Sequence, residues 1–457
     1  MKSRLSIAFL LGAVLVAGSV ARGELFKDGE TVCFLGDSIT NRGQFQNMVY
    51  DYYLTRFPGW TLRFVNAGRS GDSAGGSLSR LQEDVIDKRP TSVAVMFGMN
   101  DVGRGSYVAN PDEKKKAAQQ SSLNGYKANM ETLVGRIRAE AKEPKLFFIT
   151  PSPFDQTVVL EKDNNQPGCN DGLGRCAAIM RELAVKNSGA VVDFHGPMTA
   201  FNLEQQKKDP KYTIVGGDRV HPGAPGMLMM AWLFLKAQGA SPVVSKVTVD
   251  AAAVRATESV NAEVTAATKK VGGVTFTVLE KALPFPIDPA AKAMLAVLPI
   301  ETELDLELLS VSGLAEGLYE VRIDGAAVGR HTAVELAKGV NLAFNEATPQ
   351  FRQAQGVARL NEQRRNAEVQ ARSLLNTRRW MQSHYKVNVE DPVAVQAHYD
   401  SFKDKTEYSA AMALNYIKNG SKYGDYLKQM AEYEKALLAS RTPVPHTYDI
   451  VPVVKAQ

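Results

Sequence analysis

Residues Val32–Thr40 read VCFLGDSIT. The apolar run from Val32 to Leu35 has the length of a buried strand. It stops at Gly36-Asp37-Ser38, a small-residue turn that presents a hydroxyl. From Gly43 to Tyr53 apolar groups recur at roughly helical spacing. Strand, tight turn, serine and helix together hold a nucleophile beside a helix N-terminus, where developing negative charge is favoured. The same pattern fits a serine that only caps a helix. What else reaches this turn decides between the two.

Working outward, the pattern repeats. Leu62–Asn66 reads as a second strand, and it runs into the glycine-dense turn Ala67–Gly76. Ser92–Phe97 is a third strand and ends at Gly98-Met99-Asn100-Asp101. A polar stretch from Val102 to about Gln119 reads as a long loop, of the kind that walls or covers a site. Tyr126, Met130, Leu133 and Ile137 mark the face of a following helix. Lys145–Thr150 and Ala190–Phe194 are further strands, with helical stretches at Cys176–Val185 and Met227–Lys236. The strand runs are continuously apolar rather than alternating, so they are covered on both faces. That pattern predicts a mainly parallel sheet between two helix layers. Ligands in such sheets bind past the C-terminal strand ends. Ser38, Gly71 and Asn100 all lie just past strand ends and so are expected at one edge.

The remaining part of that site is Asp218-Arg219-Val220-His221-Pro222. An imidazole at His221 can take the proton of Ser38, and a carboxylate at Asp218 can fix its tautomer. The expected oxyanion donors are the backbone N–H groups of Ser38 and Gly71 and the side-chain amide of Asn100. Asp37 and Asp101 read as turn-ordering residues, and Asp193 and His195 as packing or surface groups. Asp101, Asp193, Asp218 and His221 do not fix a ligand set for one metal ion, so neither metal nor cofactor is expected.

These four blocks, in this order, resemble the SGNH or GDSL hydrolases, a family of serine esterases. Gly36-Asp37-Ser38 resembles the first block, with Ser38 as nucleophile. Asn66–Asp72 resembles the second, and the resemblance implies that Gly71 supplies an oxyanion N–H. Gly98–Asp101 resembles the third, with Asn100 as side-chain donor, and Asp218–Pro222 the last, with Asp218 and His221 completing the catalytic set. The resemblance covers about residues 28–240. It implies an α/β fold, a flavodoxin-like three-layer α/β/α domain of about five parallel strands, and hydrolysis through an acyl-serine. The family includes carbohydrate acetylesterases, lipases, lysophospholipases and thioesterases. The polar loop after Asn100 favours a short acyl group on a saccharide. Acyl transfer shares the first half-reaction, and a non-catalytic envelope or carbohydrate-binding protein on the same fold is the reading of another class.

Composition bounds the rest. The chain has 457 residues, 44% of them hydrophobic, too many for one ordinary domain. The formal charge of +5 is not gathered into a basic tract, which argues against nucleic acid as a partner. Lys2 and Arg4, the apolar run Ile7–Ala17 and the small residues Ser19-Val20-Ala21 read as a cleaved secretory signal over 1–21. An exported protein, periplasmic or extracellular and without stable membrane insertion, is therefore expected, acting on a small-molecule or polysaccharide ester. Of three cysteines, Cys33 lies in the first strand, while Cys169 and Cys176 flank NDGLGR and form a candidate disulfide. Beyond the hydrolase-like part, short alternating strands with glycine turns predict a small β-rich unit over 241–345. The Ala-rich run at 251–267 fits loop or helix. Residues 346–440 read as helical, and 441–457 as an extended tail.

Overall fold

The computed structural model describes residues 23–453; the expected signal segment at 1–21 lies outside them. Five strands form the first sheet: β1 (Thr31–Gly36), β2 (Arg63–Gly68), β3 (Ser92–Met96), β4 (Lys145–Ile149) and β5 (Ala190–Val192). Their order is β2-β1-β3-β4-β5 and all pairings are parallel. The continuous apolar runs explain this, because β1 beyond Thr31 and all of β3 are buried. One face is packed by α1 (Ser38–Asn41), α2 (Gln44–Arg56) and other elements around Phe26, Phe34, Phe45, Tyr53 and Phe234. The other face carries α3 (Glu113–Glu140) and α4 (Cys169–Lys186), with Met130, Leu133, Cys176 and Met180 in its core. Helices α5 (His195–Gln206) and α6 (Ala224–Ala237) complete this unit.

The helix after the first turn differs from expectation. Ser38 opens a helix of four residues only, and Gly43, at φ 72°, breaks the chain before α2 begins. The polar stretch after Asn100 is also shorter as a loop than its composition suggests. Asp112 caps Lys115 N–H at 2.7 Å and starts α3 at Glu113. Lys, Ala and Gln are good helix formers, so this polar run is the exposed first half of a 28-residue helix.

The expected Cys169–Cys176 disulfide is absent, and all three cysteines are free and buried. Both residues lie on α4, seven positions apart. Two helical turns separate them by about 10 Å along the axis, beyond the roughly 7 Å a disulfide can bridge. The Gly and Asn residues that suggested a loop are helix interior.

Two more sheets follow. One has the order β13-β10-β6-β7, from β6 (Val243–Asp250), β7 (Arg255–Val260), β10 (Leu306–Ser312) and β13 (Val340–Asn341). The other has the order β12-β11-β14-β9-β8, from β8 (Ala262–Lys270), β9 (Gly273–Glu280), β11 (Leu318–Ile323), β12 (Ala326–Thr332) and β14 (His446–Pro452). The Ala-rich run is thus strand, in β7 and β8. The expected tail is instead a central strand: β14 pairs with both β9 and β11, and buries His446, Tyr448 and Ile450 in alternation. A shared core around Val249, Phe276, Val321 and Ile450 lies between the sheets.

The helical region begins with α7 (Pro349–Tyr385), 37 residues long, and continues through α8 (Pro392–Asp400), α9 (Tyr408–Asn419) and α10 (Tyr423–Ser440). It is not a separate body. Ala354, Val357 and Leu437 share the core of the first sheet, as do Leu283, Phe285 and Met294. Asn361 Nδ2 donates to Asp51 Oδ1 at 2.8 Å between α7 and α2. Burial pushes the Asp51 carboxyl up to about 8, against that hydrogen bond and the charge of Arg364. The unfolded value is near 3.9, so the folded state holds this proton more tightly. Stability is therefore fullest below about pH 4 and is lost as pH rises toward 8. Asp51→Asn keeps the acceptor and removes the titration. Its melting temperature is expected to fall less than the parent's between about pH 5 and pH 8, and an equal fall would place the effect elsewhere.

Among the described residues no helix is long and apolar enough to cross a membrane, and no three His, Cys, Asp or Glu side chains are grouped to hold a metal.

Candidate active site

Two strand-end glycines bring the site's turns together. A Cβ on Gly68 would sit 2.2 Å from Asn41 N and 2.5 Å from the Thr40 carbonyl carbon. One on Gly36 would sit 2.7 Å from Met96 O. Only glycine lets the ends of β1, β2 and β3 approach this closely. Asp37 then caps the short helix, its Oδ1 accepting from Ile39 N–H at 3.0 Å. Burial pushes the Asp37 carboxyl up to about 7, against that hydrogen bond. Its place is beneath the turn, where it orders the backbone that carries Ser38.

Ser38 Oγ lies 2.7 Å from His221 Nε2. On the other side of the ring, His221 Nδ1 lies 2.5 Å from Asp218 Oδ2. The second carboxylate oxygen, Oδ1, accepts from the backbone N–H groups of Val220 and His221 at 3.0 Å each. Burial raises the Asp218 carboxyl, but hydrogen bonds from the His221 N–H, the His221 ring and the Val220 N–H outweigh it and hold it down to about 2. The carboxylate therefore remains charged through the neutral range and fixes Nδ1 as the protonated nitrogen, which leaves Nε2 free to accept from Ser38.

The loop that carries this pair is anchored through Arg219, which is buried and has φ 64°. Its Nη1 donates to Asp155 O and Val158 O at 2.9 Å each, and its Nε to Asn164 Oδ1 at 2.8 Å. Asp155 N–H donates to Arg219 O, and Gly216 N–H to His221 O at 2.7 Å. The segment after β4 thus clamps the Asp218–His221 turn from below. Arg219 stood inside the quoted motif, but nothing local in the sequence marks its partners.

Asn100 is half-buried, and its Nδ2 donates to Asp72 O at 2.8 Å. A primary amide has two N–H bonds, so this contact fixes the rotamer and leaves one N–H for a ligand. Gly71 takes φ 76°, with nothing within 4 Å of where a Cβ would be. The positive φ, rather than crowding, is what asks for glycine there. Asp101 accepts from Ala74 N–H at 2.8 Å and Gly98 N–H at 3.0 Å, which ties the second and third turns together. Burial raises its carboxyl to about 6 against those bonds.

One residue that sequence reasoning passed over joins the first two of these blocks. The Arg80 guanidinium, buried, donates to Asp72 Oδ2 at 2.7 Å, Ala67 O at 2.7 Å, Asp84 Oδ2 at 2.9 Å and Gly36 O at 3.2 Å. Asp193 and His195 lie apart from the site. Asp193 pairs with Arg181 at 2.9 Å and accepts from Thr150, and His195 Nε2 contacts Asn170 O at 3.1 Å. Of the apolar residues in the loop after Asn100, Val102 and Tyr107 are buried in the sheet's core and Val108 is exposed.

A half-buried hydroxyl on an oriented imidazole, with amide donors at the neighbouring strand ends, can attack a carbonyl and hold the resulting oxyanion. Comparison with known proteins agrees with that chemistry. The GDSL-like Lipase/Acylhydrolase family matches residues 34–228. An acetylxylan esterase of Geobacillus stearothermophilus is 28% identical over 226 residues, which are 46% of this chain and 94% of that protein. The solved structure of BT4096, a gut microbial diltiazem-metabolizing enzyme, is 28% identical and superposes with a TM-score of 0.85, over 95% of this chain and all of that one. The crystal structure of Axe2, the acetylxylan esterase of Geobacillus stearothermophilus, is 25% identical over 48% of this chain and 96% of its own, with a TM-score of 0.37.

Proposed function

We propose that this chain, whose residues 34–228 match the GDSL-like Lipase/Acylhydrolase family, is an exported serine ester hydrolase that removes acetyl groups through an acyl-serine. The observation that carries the reading is the Ser38–His221–Asp218 line, at 2.7 and 2.5 Å. Ser38 Oγ attacks the ester carbonyl as His221 Nε2 takes its proton. The carbonyl oxygen gains the negative charge and is met by the N–H groups of Ser38 and Gly71 and the free N–H of Asn100. The tetrahedral adduct then collapses, the C–O bond to the alcohol breaks, and His221 returns the proton to the departing oxygen. Water enters, loses a proton to the same imidazole, and displaces the serine to release the acid. Asp218 stabilises the imidazolium in both halves.

A short acyl group is favoured because two apolar side chains of the loop after Asn100, Val102 and Tyr107, turn inward and leave Val108 as the one large apolar side chain it exposes. One relative, an acetylxylan esterase, supports acetyl in particular, and the other is named for metabolizing diltiazem. They differ in the compound each is named for. The acetylxylan esterase matches only the hydrolase part, which favours a carbohydrate, whereas the diltiazem-metabolizing enzyme matches nearly the whole chain. A non-carbohydrate acetyl ester is therefore the second reading.

Rates on 4-nitrophenyl acetate and decanoate, acetylated xylo-oligosaccharides and diltiazem separate these. Acetate is expected to exceed decanoate by at least about tenfold in kcat/KM, each CH2 contributing on the order of 1 kcal/mol to discrimination. A decanoate preference overturns the short-acyl reading. Faster release from xylo-oligosaccharides favours the carbohydrate, and faster release from diltiazem favours the second reading.

A further inference from the structure

The long helix α7 touches the turns of the candidate site from behind, along one stripe. Asn361, Arg365, Arg372 and Arg379 lie on it at spacings of 4, 7 and 7, and eighteen residues make five helical turns. Arg365 Nη1 donates to Arg42 O at 2.7 Å, just past the Ser38 turn. Arg372 Nη2 donates to Gly68 O, at the end of β2. Arg379 Nη1 donates to Asp84 Oδ1 at 2.9 Å, and its other terminal nitrogen pairs with Glu83. The opposite oxygen of the same carboxylate, Asp84 Oδ2, holds Arg80 at 2.9 Å.

From Arg80 the path into the site is short. Its Nε holds Asp72 Oδ2 at 2.7 Å, and Asp72 O is the group that fixes the Asn100 amide at 2.8 Å. Arg80 also holds Ala67 O and Gly36 O, carbonyls at the ends of the two strands that lead into the Gly71 and Ser38 turns. We propose that Arg379, in the C-terminal helical region, is a positioning residue for the oxyanion donors, acting through Asp84 and Arg80. The proposal rests on the ester hydrolase reading of the Ser38 site.

The physical reason is the sharing of one carboxylate. Asp84 is buried between two guanidinium groups, each taking one oxygen. With Arg379 gone, Oδ1 lies buried without its partner. Arg80 is then the one guanidinium still hydrogen-bonded to Asp84, with the Arg372 charge also near, and a carboxylate held by one guanidinium gains most by a two-pronged pairing. Turning Asp84 to make that pair draws Arg80 away from Ala67 O and Asp72. The Asp72–Asn100 contact then loosens, and the donor that should meet the oxyanion loses its fixed position. A neutral substrate carbonyl asks less of those donors than the oxyanion does, so the loss should fall on kcat rather than on KM.

Arg379 is one-third exposed, so Arg379→Gln is expected to fold. On 4-nitrophenyl acetate its kcat should fall about five- to tenfold with KM within about twofold, since coupled neighbours interact at this scale. Arg379→Lys, which keeps the charge, should recover most of that loss. Asp84→Asn should lose a similar factor, and Arg379→Gln should add less than about twofold on that background. In Asn100→Ala, where the donor is already gone, Arg379→Gln should likewise change kcat by less than about twofold. An active parent with unchanged kcat in Arg379→Gln overturns the proposal, as does an equal loss with and without Asn100. A silent parent instead overturns the hydrolase reading itself.

Discussion

Ser38→Ala is expected to lower kcat on an acetyl ester by on the order of 10⁵- to 10⁶-fold, leaving KM nearly unchanged. The hydroxyl is the only group in the site placed to form a covalent bond to the acyl carbon with a base already at 2.7 Å. Without Oγ the imidazole has no proton to take, and water must attack from a position the site does not define. Knocking out a serine nucleophile in such a unit costs on the order of 10⁶-fold, and the oxyanion donors and binding retain about 10³-fold over water. Folding should be unaffected, because Ser38 Oγ makes no hydrogen bond that holds the turn; Asp37 makes that bond, to Ile39. The measurement is steady-state acetate release by both proteins at equal concentration. A residual rate within about a hundredfold of the parent would mean that the chemistry is carried elsewhere.

Asn100→Ala is expected to lower kcat by about 10²- to 10³-fold, or about 3 kcal/mol of transition-state stabilisation. The argument turns on the amide's two N–H bonds. One is taken by Asp72 O at 2.8 Å, so the other points in a direction the fold has already fixed. A donor fixed in advance needs no reorganisation when the oxyanion forms. KM should move little, because the neutral carbonyl of the substrate asks much less of that N–H than the oxyanion does. Asn100→Asp should fall at least as far, since a carboxylate cannot donate and faces the oxyanion with like charge. A fall in kcat/KM carried wholly by KM would assign Asn100 to substrate binding instead.

Much of this geometry was legible from residues near one another in the chain. The continuous apolar runs at Val32–Leu35 and Ser92–Phe97 fix a doubly covered parallel sheet, and strand ends in such a sheet share an edge. Topology alone therefore places Ser38, Gly71 and Asn100 at one edge. Asp218 and His221 carry their own geometry, since three residues of spacing let one carboxylate cap the turn and hold the ring.

What was not legible depends on partners far apart in sequence. Nothing near Arg80 or Arg372 in the sequence marks their role, because an arginine tied to backbone carbonyls is recognised only by the carbonyls that meet it. Those carbonyls belong to Gly36, Ala67 and Gly68, contributed by the ends of other strands. The segment 169–176 misled for a local reason. Gly172 and Gly174 suggest a loop, yet both lie inside α4, where Gly172 makes room for the Tyr107 ring. The strand at His446–Pro452 was hidden because its two neighbours, β9 and β11, are more than a hundred residues away.

The same long-range contacts change how the C-terminal half should be regarded. The helix α7 shares the core of the first sheet, carries the Asn361–Asp51 contact and meets the backs of the site's turns. Its charged residues meet the strand ends and turns of the first sheet, and a cut between that sheet's unit and the C-terminal half would expose the shared core.

The central claim is that Ser38 is a nucleophile activated by His221. The most direct measurement is intact mass of the protein before and after exposure to a fluorophosphonate, with peptide mapping of any adduct. The account predicts one phosphonyl group per chain, on Ser38, and none on Ser38→Ala. An unmodified parent protein, or equal labelling of Ser38→Ala, would contradict it.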